Sequence, residues 1–119
     1  MDAASSITLY LARRDAYAEF LSAADAESNV AWFRKDGRFS DGTEAVAAVD
    51  RAYAATRAAF NVIDVEGIGP VKEARTVLEQ LAAMHRDGGV NPDWKDFKAA
   101  RESFVVAANR YLKGMRGED

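Results

Sequence analysis

The chain has 119 residues, no cysteine and a formal net charge of −3. A single domain of that length can bury a core without cross-links, and the absence of cysteine excludes disulfide scaffolds, thiolate nucleophiles and cysteine-based zinc sites. The near balance of 16 basic and 19 acidic residues gives no general attraction to nucleic acid or anionic lipid.

The first predicted helix covers residues 6–34, because apolar residues recur there at steps of three and four. Ser5 or Ser6 is the expected N-cap. Strong helix formers become fewer between Asp25 and Asn29, so we expect a kink or fraying in that stretch.

The second predicted helix covers residues 43–65. Asp41 followed by Glu44 is typical of a capping box at its start. Gly67 suits the left-handed end of this helix, and Pro70 suits the first turn of the next one. Its apolar side consists of Val46, Val49, Tyr53, Thr56, Phe60 and Ile63.

The third and fourth predicted helices cover residues 70–87 and 92–113, with Asn91 and Pro92 as cap and first-turn proline of the fourth. The apolar side of the third helix consists of Val71, Ala74, Leu78, Leu81 and His85, flanked by Val77 and Met84. That of the fourth consists of Trp94, Phe97, Arg101, Phe104, Ala108 and Tyr111.

Four one-sided helices with short connections predict an all-α fold, an up-down-up-down four-helix bundle with antiparallel neighbours. We expect a single domain over residues 1–119. Alternation of apolar and polar residues never extends beyond a few positions, so no strand is predicted.

Several short motifs in these helices share a high alanine content or a Gly-Pro turn. They are Ala16-Tyr17-Ala18-Glu19-Phe20-Leu21, Ala23-Ala24-Asp25, Gly69-Pro70-Val71, Glu73-Ala74, and Phe104 with Ala107-Ala108. Together they resemble small all-helical proteins, rich in alanine and arginine, that are common in actinobacteria. The resemblance spans three helices. It implies a helical fold and an actinobacterial source, and it brings no activity or site residue with it.

No residue pattern points to catalysis, a cofactor or a metal. His85 is the only histidine, and Ala82 stands where a Glu-x-x-His metal motif requires glutamate. We therefore expect a structural role for His85, capped or facing solvent. Gly67-Ile68-Gly69 has no strand before it, as a dinucleotide site requires, and no serine lies in a nucleophile elbow.

Two arginines, Arg14 and Arg101, fall at nominally apolar positions of their helices. A buried arginine marks either a carboxylate partner or an anion-binding pocket. The commoner arrangement places the stem over the core edge and the guanidinium in water. If either guanidinium is instead buried without a carboxylate partner, it would bind an anion, so Arg14 and Arg101 are the candidate anion-binding residues.

One end of the predicted bundle gathers aromatic side chains, among them both tryptophans. Such a cluster, here called the aromatic pole, either plugs the end of the core or forms a surface for a partner. Its candidate interaction residues are Trp32, Phe33, Arg34, Phe39, Trp94 and Phe97.

These patterns predict a non-enzymatic protein-interaction bundle that binds a protein partner or associates with itself. We also expect Phe20, Phe33, Met84 and Met115 to be incompletely covered by one core. The alternative is a small-molecule or anion-binding protein that uses a core arginine. DNA binding is less favoured, because no helix carries clustered basic residues. Since residues 1–8 lack a basic leader with an apolar run, and no apolar stretch could cross a bilayer, we expect a cytoplasmic protein without membrane contact.

Overall fold

The computed structural model describes residues 3–86 and 94–117. Within these residues α1 touches each of the other three helices, whereas α2 and α4 do not touch each other. This packing confirms the predicted all-α four-helix bundle. The helices are α1 (Ala3–Lys35), α2 (Gly42–Glu66), α3 (Val71–His85) and α4 (Trp94–Met115).

Contacts along α1 show that α2 runs antiparallel to it. Arg13 forms an ion pair with Glu66 at the end of α2, and the Thr56 hydroxyl lies 3.2 Å from the carbonyl oxygen of Ala23. Residue numbers thus rise along α1 as they fall along α2. The two helices are joined by a short loop, which favours this arrangement.

α4 is also antiparallel to α1. The Arg116 guanidinium donates a hydrogen bond to the hydroxyl of Tyr10, while Arg101 pairs with Asp25 further along α1. Consequently the end of α1 and the start of α4 lie at the same end of the molecule, where the sequence places the aromatic pole.

Aromatic rings form the centre of the core. The rings of Phe20 and Phe104 lie 5.0 Å apart, and Phe60 and Tyr17 pack around them at 6.3 Å and 6.0 Å. Phe20 and Met84 are both fully buried, so the expectation that the core leaves them uncovered is wrong.

The start of α2 confirms the predicted capping box in a modified form. The backbone N–H of Glu44 donates to Asp41 Oδ1 at 2.7 Å. The Glu44 carboxylate accepts from the N–H of Ser40 at 3.2 Å, one residue before the usual donor. At the other end, Gly67 has φ 66° and caps α2 in the left-handed conformation.

Some predicted boundaries differ from the structure. α1 already includes Ala3, before the predicted serine caps. It is continuous through residues 25–29, so the expected fraying there is wrong, and the side chains of Asp25 and Glu27 bond to neighbouring helices. α3 begins after Pro70 and ends at His85, and α4 continues to Met115. The predicted end of the third helix at residue 87 and the predicted start of the fourth at Asn91-Pro92 lie outside the described residues.

The predicted apolar side of α2 is only half covered. Thr56, Phe60 and Ile63 are buried, but Val46 is 54% exposed and Tyr53 is 49% exposed. The reason is length, since α3 has 15 residues against 25 in α2. α3 is tied to α2 near the far end of that helix, so the first turns of α2 lack a neighbour on this side.

Candidate functional site

The aromatic pole divides into a buried and an exposed part. Phe97 is completely buried and belongs to the core, which removes it from the predicted interaction surface. Trp32 is half-buried and packs against the core. Phe33 is 38% exposed and Trp94 is 42% exposed, although the ring of Trp94 lies only 5.7 Å from that of Phe97. The inner part of the aromatic pole thus belongs to the core, and its outer part is exposed to solvent.

Cationic groups lie over the aromatic rings at the end of α1. The Lys35 ammonium is 4.9 Å from the ring centre of Trp32, and the Arg38 guanidinium is 5.0 Å from that of Phe33. Each cation–π contact of this kind contributes about 0.5–1 kcal/mol at an exposed site. They hold the two rings beside positive charge at the protein surface.

The backbone of the turn after α1 is well defined next to Phe33. The N–H of Arg38 donates to the carbonyl of Phe33 at 2.9 Å, and Gly37 adopts φ 68°, which only glycine takes without strain. Arg34 and Phe39, the remaining candidate interaction residues, are half-buried beside this turn. Phe33 is therefore presented by a hydrogen-bonded turn.

The two candidate anion-binding arginines have different surroundings. Arg101 forms a two-pronged ion pair with Asp25, with distances of 2.8 Å and 3.0 Å. The hydrogen bonds that Arg101 donates to the Asp25 carboxylate raise the pKa of Arg101 above its ordinary value. Arg14 is exposed on the surface of α1 and pairs with its neighbour Asp15 at 3.2 Å. The carboxylate of Asp25 thus occupies two of the five N–H donors of Arg101.

A buried acid–histidine pair was missed by the sequence analysis. Nε2 of His85 lies 2.9 Å from Oε2 of Glu27, and their side chains are only 15% and 3% exposed. His85 is therefore neither capped nor solvent-facing as expected. Its Nδ1 is buried without a hydrogen-bond partner in the described part of the chain. The available signal was the position of Glu27 between Ala24 and Ala31, on the buried side of α1.

Hydroxyl groups extend this polar region between the helices. Thr56 is fully buried and lies within hydrogen-bonding distance of the carbonyls of Ala23 and Ala52. Ser28 donates to the carbonyl of Asp25 at 2.8 Å. These groups and the two charged pairs form what we call the polar layer, whose members are Asp25, Glu27, Ser28, Thr56, His85 and Arg101. They connect α1 to each of the other helices, a structural role.

The end opposite the pole contains a buried tyrosine. Tyr17 is 4% exposed, and its hydroxyl has no hydrogen-bond partner among the described residues. Burial raises the pKa of Tyr17 from 10.0 to about 12. Gly69 has φ 76°, and a Cβ atom at this glycine would lie 2.6 Å from the Tyr17 hydroxyl and 3.3 Å from Tyr111. Only glycine fits this close approach.

Residues 3–86 and 94–117 contain no group of three metal-ligating side chains near enough to share an ion. No helix within these ranges has both the length and the apolar character needed to cross a bilayer. The chain matches no protein-family model, no curated protein and no solved structure.

Proposed function

We propose that the protein is a non-enzymatic interaction module that binds a protein partner through the outer part of the aromatic pole. The observation that carries this proposal is the exposure of Phe33 and Trp94, 38% and 42%, at the same end of the bundle. A plug at the end of the core explains why Phe97 is buried and why Trp32 is partly buried. It does not account for two large aromatic side chains outside it.

The surroundings of these rings support the proposal. Aromatic and arginine side chains are enriched among the residues that dominate binding energy at interfaces. The Phe33 ring lies against the Arg38 guanidinium, a contact that already restricts its side chain before a partner binds. Trp94 is supported from below by the buried Phe97 ring.

The alternative anion-binding function has less support. Arg101 already donates hydrogen bonds to Asp25 through two of its nitrogens. Arg14 lies on the outside of α1 beside Asp15. We therefore propose no anion site at either residue.

The proposal is tested with Phe33→Ser and Trp94→Ser, singly and together. Tagged wild-type protein should recover a specific partner from the source cells, and the purified partner should then bind by calorimetry. Each substitution should weaken binding at least tenfold, since truncating a central aromatic typically costs 2 kcal/mol or more, about 30-fold. Val106→Ser is the matched control, because Val106 is 48% exposed on α4 away from the pole.

Stability measurements separate a surface from a plug. The two serine variants should melt close to the wild type, whereas Phe97→Ala should lose about 3–5 kcal/mol because it empties a buried site. Large losses in all three variants, with binding unchanged, would mean that the whole pole is core.

A further inference from the structure

We draw no further inference here: the strongest candidate, the exposed apolar face of α2 around Ala58 and Val62 with the groove beside it between α1 and α2, carries nothing because nothing in the structure shows what covers it.

Discussion

Oε2 of Glu27 lies 2.9 Å from Nε2 of His85 across the interface between α1 and α3, with both side chains almost removed from solvent. Loss of one member of such a buried pair leaves the other without compensation. We expect His85→Ala to lower the free energy of unfolding by about 3–5 kcal/mol, measured by urea denaturation.

A double variant controls for the loss of packing volume. Glu27→Leu combined with His85→Leu should recover most of that stability, because apolar residues of similar size often replace a buried pair at little cost. If the double variant is as unstable as His85→Ala, the hydrogen-bonded pair is not the source of the effect.

The ion pair between Asp25 and Arg101 should contribute much less. Its side chains are 41% and 35% exposed, so water screens the charges despite the favourable geometry. Arg101→Lys should cost less than about 1 kcal/mol, and the difference from wild type should shrink at high salt. A loss comparable with that of His85→Ala would show that this pair is effectively buried in solution.

Tyr17 should make stability fall at alkaline pH. The unfolded chain ionises this phenol near its ordinary pKa of 10.0, whereas the folded protein holds it neutral up to about 12. The contribution of the neutral phenol is therefore complete below pH 10 and is lost as the pH rises towards 12. Tyr17→Phe should weaken this dependence, as compared by denaturation at neutral pH and at about pH 11.

Replacement of Tyr17 should also be tolerated at neutral pH. Its hydroxyl is buried without a partner, so Tyr17→Phe is expected to be neutral or stabilising by up to about 1–2 kcal/mol. Tyr53→Phe is the control, since Tyr53 is 49% exposed and its removal should not change the alkaline response. A marked loss at neutral pH would indicate a hydrogen bond through a bound water molecule.

Gly69→Ala should destabilise the protein more than Gly37→Ala. Both glycines have positive φ, which costs about 1–2 kcal/mol for other residues. The added methyl group at Gly37 meets open space, but at Gly69 it approaches the Tyr17 hydroxyl to 2.6 Å. The difference between the two variants in thermal melting measures this clash, and equal losses would show that Tyr17 moves aside freely.

Local signals in the sequence predicted both ends of α2 well. The cap formed by Asp41 and Glu44 and the left-handed Gly67 depend on residues a few positions apart, which a sequence displays directly. The buried side of α3 was equally clear, because Leu78 and Leu81 follow an uninterrupted helical period. Short-range physics was sufficient for these features.

The polar layer could not be predicted in the same way. The scarcity of helix formers between Asp25 and Asn29 suggested a break, but the partners that stabilise this stretch are Arg101 and His85, more than 50 positions away. A periodic pattern shows which side of a helix is apolar. It does not show which polar group of another helix will bind a polar residue on that side.

The sequence could not separate the buried from the exposed residues of the aromatic pole, for a related reason. Helical periodicity placed Phe97 and Trp94 on one side of α4, and it could not show that the core closes over one and not the other. Val46 on α2 illustrates the same limit, since its exposure depends on the length of α3. Whether an apolar residue is buried depends on how far the neighbouring helices extend over it.

The difference in helix length has a consequence for local opening. α1 has 33 residues and is about 50 Å long, whereas α3 has 15 and reaches about 22 Å. Residues 4–8 of α1 are exposed on every side, so their amide hydrogens are protected at most by bonds within the first turns of α1 itself. These amides should exchange with deuterium through fraying, while those around Phe20 should exchange only when the whole molecule unfolds.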